Sequence, residues 1–339
     1  MAINKKYFKS NWFLTFLLIG FIGFLLYLFE VRPWLMSFEL NGPDNIISFS
    51  PADTYTYWMQ TSNPLILVPY NLMGPVIVLT IFNSNFDFLF LFFIFLFLVA
   101  LKELQNYLKI NPFHFATIFL INPLILFQFF APNKEIIIII ALLFLVIYLK
   151  SRKVTHIFIT LILSALSKPE FLVLILFFLI IRLLNKNIRP YIIILMIIVI
   201  TYYYNFLPNM ESQTEVLFRG QTTASRGVTV LFQTLAANYY LYPIIILPRI
   251  LLTLFESSTL YLFLSGICFI LALFRLITKE RNQLNFRDDL FFLICLFIIM
   301  VSIVPFPHHR YILPIYPLIL IILIRPKNIK SNLIERTKL

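Results

Sequence analysis

Two short charged segments stand between strongly apolar runs of this sequence. The first, residues 131–135, reads APNKE. A charged side chain between apolar runs costs free energy unless it is paired or hydrated. Lys134 and Glu135 therefore belong either to a solvated loop or to a site in which the amine binds an anion and the carboxylate accepts a proton.

The second charged segment, residues 167–170, reads SKPE. The apolar arms on either side have about 14 residues each, too few to reach far across a hydrocarbon layer of roughly 30 Å. The turn between them should then lie below the outer surface and draw Lys168 into the protein. There its amine needs an anion, which is either Glu170 or a bound phosphate.

Arginine residues later in the chain suit the same anion chemistry. Arg219 and Arg226 each precede a glycine, and the planar guanidinium group matches phosphate and sugar acids while glycine lets the backbone approach closely. A solvated loop is the alternative.

The segment 304–311, VPFPHHRY, places two histidines beside Arg310 before the last apolar run. Arg310 at a helix start could anchor an anion, and His308 or His309 could accept a proton. Adjacent histidines point apart and no third ligand is spaced nearby, so we predict no metal and no other cofactor.

An acidic residue in the first long polar segment has aromatic neighbours. Asp53 lies in PADTYTYW, residues 51–58. Aromatic rings are common where a chain meets a membrane surface, but they also stack on sugars, and the carboxylate could accept a proton from a sugar hydroxyl.

The composition is that of a membrane protein. Of 339 residues, 60% are hydrophobic and 12% charged, and the mean hydropathy is +0.91. A soluble domain has about twice as many charged residues. These values exclude a soluble globular protein, a disordered chain and a disulfide scaffold, so we predict an all-α polytopic integral membrane protein with 1–339 as a single domain.

Ten apolar segments are candidate membrane-spanning helices. They are 12–29, 85–101, 113–130, 136–149, 154–167, 171–184, 190–206, 257–276, 289–305 and 311–324. Two more, 64–82 and 238–254, contain prolines, and we expect them to be re-entrant or interfacial and to line a cavity. The long polar loops 30–63 and 207–237 should lie outside.

Basic clusters fix the predicted orientation, because lysine and arginine collect on the cytoplasmic side. Both termini are then cytoplasmic, and the net charge of +12 reflects topology and not nucleic-acid binding. The candidate residues come from distant segments, yet on this topology they all lie at the outer face. Lysine and arginine usually collect on the opposite, cytoplasmic side. Cations around one or two carboxylates suit a substrate with a phosphate or pyrophosphate leaving group and a hydroxyl nucleophile.

Four stretches resemble the Wzy family of bacterial oligosaccharide repeat-unit polymerases, which assemble O-antigen and capsule. They are NLMGPVIVLTIF (71–82), NPLILFQFFAPNKEIIII (122–139), ALSKPE (165–170) and PHHRYILPIYP (307–317). The resemblance implies a GT-C-like helical bundle in the inner membrane with a periplasmic active face. Its substrates would be undecaprenyl-pyrophosphate-linked oligosaccharides in the lipid bilayer, with a chain-length regulator and a flippase as possible partners.

On this resemblance the growing glycan passes to the non-reducing-end hydroxyl of a new unit, and undecaprenyl pyrophosphate leaves. The base would be Glu135, Asp53 or His309. The substrate-binding residues would be Lys134, Lys168, Arg219, Arg226, Arg310 and Tyr311.

Two other functions fit parts of the pattern. A GT-C-type glycosyltransferase that uses a polyprenyl-phosphate sugar also has an acidic residue in its first outer loop, here Asp53. A lipid-linked sugar flippase or another transporter would distribute charges through the depth of the membrane and show repeat symmetry. The charges gather at one face, which disfavours transport.

The solvated-site interpretation of Lys134 makes a prediction about stability. Replacing Lys134 with alanine should leave expression and the melting temperature in detergent nearly unchanged, because a hydrated amine contributes little to folding. Thermal unfolding of both proteins measures this. A large fall in melting temperature would instead identify a structural ion pair.

Overall fold

A computed structural model describes residues 12–33, 58–68, 70–130, 133–206, 260–280, 284–302 and 313–325, and every regular element in these ranges is helical. The predicted all-α class is confirmed for this part of the chain. Two compact units are present, Met1–Ile175 with Tyr316–Leu339, and Leu176–Ile315. The helices are α1 (Trp12–Phe29), α2 (Tyr70–Ile81), α3 (Phe86–Leu108), α4 (Pro112–Leu120), α5 (Pro123–Phe130), α6 (Lys134–Ser151), α7 (Val154–Ser167), α8 (Pro169–Leu183), α9 (Arg189–Phe206), α10 (Leu260–Glu280), α11 (Asp289–Ser302) and α12 (Ile315–Ile324).

Within the described ranges, helix α1 alone is long and apolar enough to cross a membrane by itself. Helices α2 and α3 qualify together, but they are bent by 105° at the break between them. Shorter apolar helices are Val154–Ser167, Leu262–Thr278, Asp289–Val301 and Ile315–Ile324. The count of ten crossings stays a prediction.

Helices α1 and α3 are held together at both ends. Near one end the Trp12 indole N–H donates to the Gln105 side chain. Near the other, Asp87 accepts a hydrogen bond of 2.6 Å from the Tyr27 hydroxyl and one of 3.1 Å from Arg32 Nε. Since these contacts pair the start of α1 with the end of α3 and the reverse, the two helices are antiparallel.

Helix α6 forms the core of the first unit. Its residues 135–147 are all buried, and it packs against α3 and α7. A helix that is apolar on every side is typical of one enclosed by other helices. The isoleucine run 136–140 therefore determines which helix is central.

The α6–α7 turn is stabilised by polar contacts. Arg152 closes α6 in the left-handed conformation, with φ at 59°. The buried His156 ring lies 2.6 Å from Ser151 Oγ through Nδ1 and 3.3 Å from Glu103 Oε2 through Nε2. The Tyr107 side chain raises the pKa of Lys153, whose amine lies 5.4 Å from the ring centroid. This end carries the basic residues that we predict to be cytoplasmic.

Close packing of α2 on α7 requires a glycine. A Cβ atom on Gly74 would lie 2.1 Å from the carbonyl oxygen of Leu166, far inside van der Waals contact. The α7 positions Thr160, Ser164 and Ser167 are also small and buried, and each hydroxyl donates to a carbonyl three or four residues earlier. Small residues with internally satisfied hydroxyls permit such close helix approach.

Several boundaries differ from those expected from the sequence. The segment 113–130 forms two helices, because Pro123 cannot continue α4 and the Asn122 side chain caps α5 by accepting from Leu124 N at 3.1 Å. Helix α3 runs seven residues beyond the predicted 85–101, since hydropathy measures the apolar stretch and not the helix.

The segment 64–82 contains α2, whose 12 residues extend about 18 Å and cannot cross about 30 Å of hydrocarbon. The expectation that 64–82 does not cross is consistent with that length. Segment 238–254 lies outside the described residues.

In the second unit, one carboxylate joins three helices. Asp289, at the start of α11, pairs with Arg182 on α8 and Arg189 on α9. Phe178 and Phe292 stack between α8 and α11 with ring centroids 6.1 Å apart. These contacts hold the α8–α9 turn and the start of α11 at the same end.

The contact at Gly74 makes a prediction about stability. Gly74→Ala should lower the melting temperature clearly, because the clash is with backbone and a rotamer change cannot relieve it. Thermal unfolding in detergent measures the effect. The matched control is Gly20→Ala in α1, where the new Cβ would lie 3.8 Å from Phe16 and alanine favours the helix. Equal melting temperatures for the two variants would contradict the proposed close contact.

Candidate functional site

Three of the predicted site residues lie at one end of the α6–α7 hairpin. Lys134 and Glu135 begin α6, and Lys168 directly follows α7. Measured along the helix axes from the connecting turn, Lys134 lies about 26 Å away and Lys168 about 21 Å away. The two helices are antiparallel, so these charges share one end, with Lys168 about one helical turn nearer the connecting turn.

Asn133 positions the acidic residue. Its side chain accepts a hydrogen bond of 3.0 Å from the backbone N–H of Ile136, which caps α6 and fixes where the helix begins. Asn133 is buried. Glu135 therefore lies in the first helical turn, where the positive end of the helix dipole favours a carboxylate.

Glu135 is the unusual group of this site. The residue is 4% exposed, and its Oε2 atom has no hydrogen-bond partner among the described residues. A buried carboxylate oxygen without a donor costs about 1–3 kcal/mol or more. Its burial argues against the solvated-loop alternative. An oxygen of this kind can accept a proton from a substrate hydroxyl.

The two lysines are less enclosed than the carboxylate. Lys134 and Lys168 are both half-buried. Lys168 has extended backbone angles, φ −153° and ψ 137°, as expected for a residue before proline, and its N–H donates to Ser164 O at 3.2 Å. Glu170, the alternative partner proposed for Lys168, is exposed. Pro169 starts α8 immediately afterwards, so the Lys168 backbone is fixed from both sides.

Sequence reasoning missed two residues that shape this end. Gly74 brings α2 against Leu166, two residues before Lys168. Asn133 was visible only as an N-cap residue type before an apolar run. The only sequence signal for Gly74 was its position beside Pro75 in an apolar segment interrupted by prolines. Such a segment indicates irregular packing but does not predict that the contact is Leu166.

The remaining candidates lie outside the described residues. They are Asp53, Arg219, Arg226, His308, His309, Arg310 and Tyr311. Their roles stay predictions. In the part of the chain that the structure describes, no group of three or more His, Cys, Asp or Glu side chains could hold a metal ion.

Comparison with protein-family models, with curated proteins and with solved structures found no match to this chain. The chemistry of the site must therefore be argued from its own residues. A buried carboxylate with an open oxygen lies at the same end as two amines. That arrangement can remove a proton from a hydroxyl while holding an anionic group nearby.

The open oxygen of Glu135 predicts an unusual response to neutralisation. Glu135→Gln should not lower the melting temperature, because the Oε2 atom that it replaces has no hydrogen-bond donor to lose among the described residues. The contrasting variant is Asp289→Asn, whose carboxylate has two arginine partners and whose loss should destabilise by about 3–5 kcal/mol. Thermal unfolding of both distinguishes the two kinds of acid. A matching fall in Glu135→Gln would reveal a structural role.

Proposed function

We propose that this protein is a polytopic membrane enzyme that polymerises polyprenyl-pyrophosphate-linked oligosaccharide repeat units. The observation that carries the proposal is the buried Glu135 carboxylate with its open Oε2 atom, at the hairpin end that also bears Lys134 and Lys168. A proton acceptor and cations at one end of a helical hairpin suit the transfer of a glycan from a pyrophosphate to a hydroxyl.

Embedding in a membrane is supported by the outward faces of the helices. Large apolar side chains are exposed along α1, α8, α9 and α10. Examples are Phe13, Phe16, Phe21, Phe24, Val173, Ile180, Ile194, Ile198, Leu264, Leu271 and Phe274. Exposed apolar area of this extent is unfavourable in water but matches lipid. In the proposed arrangement of ten crossings, the hairpin end with Glu135 faces the periplasm.

The proposed reaction forms one glycosidic bond and breaks one bond to phosphate. The non-reducing-end hydroxyl of the incoming unit attacks the anomeric carbon of the growing glycan and loses its proton to Glu135. The bond from the anomeric carbon to the pyrophosphate oxygen breaks, and undecaprenyl pyrophosphate leaves with the electron pair. Lys134 and Lys168 stabilise the negative charge that develops on the leaving group. Arg219, Arg226 and Arg310 would add to this field from the outer loops, and Tyr311 would contact the glycan.

Deletion and complementation test the proposal. Deleting the gene should reduce the polysaccharide ladder on a gel to a single capped repeat unit. Glu135→Gln, Glu135→Ala and Arg310→Ala should fail to restore the ladder, since loss of a general base or of a charge-stabilising group costs about 10²–10⁴-fold in rate.

The matched control is Lys102→Ala, an exposed lysine on α3 at the end predicted to be cytoplasmic, which should restore the full ladder at equal expression. An unchanged ladder after deletion would refute polymerisation. Loss of even the single unit would indicate an earlier step, either transfer of one sugar or export of the unit.

A further inference from the structure

The second unit contains a buried arginine whose side chain is only partly used. Arg189, the first residue of α9, is 0% exposed. Its Nη1 atom lies 2.8 Å from Asp289 Oδ1, and donates to the carbonyl oxygens of Phe286 and Arg287 at 3.3 Å each. The distance between Arg189 Nη1 and Asp289 Oδ1 is that of an ion pair. The two atoms do not form a hydrogen bond, and Oδ1 has no other hydrogen-bond partner.

The other two donor atoms of Arg189 are unpaired. Neither Nε nor Nη2 has a hydrogen-bond acceptor among the described residues. These two nitrogens lie on one edge of the planar guanidinium group and direct their N–H bonds in parallel. That edge is the fork with which arginine binds a phosphate or carboxylate through two hydrogen bonds. Phe292 covers a face of the group, with its ring centroid 5.1 Å from Cζ, and the two nitrogens of the edge are buried without an acceptor.

Arg189 shares its acidic partner with a second arginine. Arg182 Nε also donates to Asp289 Oδ2 at 2.9 Å. Two guanidinium groups therefore share one carboxylate, so Asp289 is not a counterion for Arg189 alone. A buried charge is costly unless it is paired and hydrogen-bonded. Arg182 and Asp289 retain 9% and 12% of their side-chain exposure, so the trio lies just beneath the surface.

We propose that the Nε–Nη2 edge of Arg189 binds the phosphate group of an anionic phospholipid where the α8–α9 turn meets residues 286–289 at the start of α11. This part of the second unit lies at the end that the basic clusters predict to be cytoplasmic. Basic pockets between helices on that side are a known setting for anionic headgroups. The inference depends on the membrane embedding proposed above and not on the polymerase activity.

Lipid titration of the purified full-length protein tests the inference. Delipidated protein in detergent is titrated with phosphatidylglycerol at constant ionic strength while the melting temperature is followed. Phosphatidylglycerol should raise the melting temperature, because a ligand of the folded state stabilises it by mass action. Phosphatidylcholine, which carries no net charge, should raise it much less. Inorganic phosphate forms the third arm, and a rise equal to that from phosphatidylglycerol would identify free phosphate as the occupant of the same edge.

Variants of Arg189 test whether its Nε–Nη2 edge is responsible for the rise in melting temperature. Arg189→Gln leaves the Arg182–Asp289 pair neutral, so it should fold but lose the response to phosphatidylglycerol. Arg189→Lys keeps the charge without the fork and should bind roughly ten- to a hundredfold more weakly, the loss expected for a charge-assisted hydrogen bond. If Arg189→Gln cannot be purified, Arg189→Lys alone tests the proposal. Arg287→Gln, an exposed cation on the same turn, should respond like the wild type.

Two results would overturn the inference. One is a wild-type melting temperature that neither phosphatidylglycerol nor phosphate raises. The other is an equal rise in wild type, Arg189→Gln and Arg189→Lys, which would assign any binding to general surface charge.

Discussion

The burial of α6 on every side determines the rest of the first unit. A helix with isoleucine, leucine and phenylalanine around its whole circumference gains stability only when neighbouring helices enclose it. Helices α3 and α7 pack against it, and α2 reaches α7 through Gly74. The same enclosure extends to the first turn of α6, so Glu135 is buried because of the helix to which it belongs. The packing of α6 thereby encloses a carboxylate at the end of the helix.

Two acidic residues in the described part of the chain, Asp289 and Glu135, have different surroundings. Asp289 has two arginine partners, and it joins α8, α9 and α11 as a structural counterion. Glu135 has a capped helix start, a neighbouring lysine in sequence and an oxygen that no described donor satisfies. Ion pairs with two arginines offset the cost of enclosing Asp289, although its Oδ1 atom also has no hydrogen-bond partner. Among the described residues, no ion pair of this kind offsets the cost of burying Glu135. The contrast supports a functional interpretation of Glu135 and a structural one of Asp289.

The sequence predicted the helical class and the positions of most apolar helices, because uniform apolar runs leave few other structures. It also drew attention to Lys134, Glu135 and Lys168, since charges between such runs are conspicuous, and their roles stay predictions. It did not predict the partners of Arg32, Asp87 and Arg189, because pairing between distant helices depends on which faces meet. Arg189 and the basic residues near it were used only to predict the orientation of the chain in the membrane. The sequence did not indicate that the Arg189 side chain is buried.

Local chemistry explains where the helix boundaries departed from expectation. Asn122 and Pro123 divide an apolar segment that hydropathy treats as continuous, and the polar last turns of α3 continue a helix that hydropathy ends early. Capping, proline geometry and polar helix ends act over a few residues. A mean hydropathy over about twenty residues does not detect them.

The contact between Gly74 and Leu166 also bears on the order of assembly during synthesis. Helix α2 docks on a surface of α7 that leaves the ribosome about 90 residues later, a delay of roughly 5–18 s at 5–20 residues per second. At about 18 Å, α2 is too short to cross the bilayer while it waits. In the membrane arrangement proposed above, it would rest at the lipid surface and enter its groove only after α7 has been inserted, so that α2 completes the hairpin end after the lysines and the carboxylate are in place.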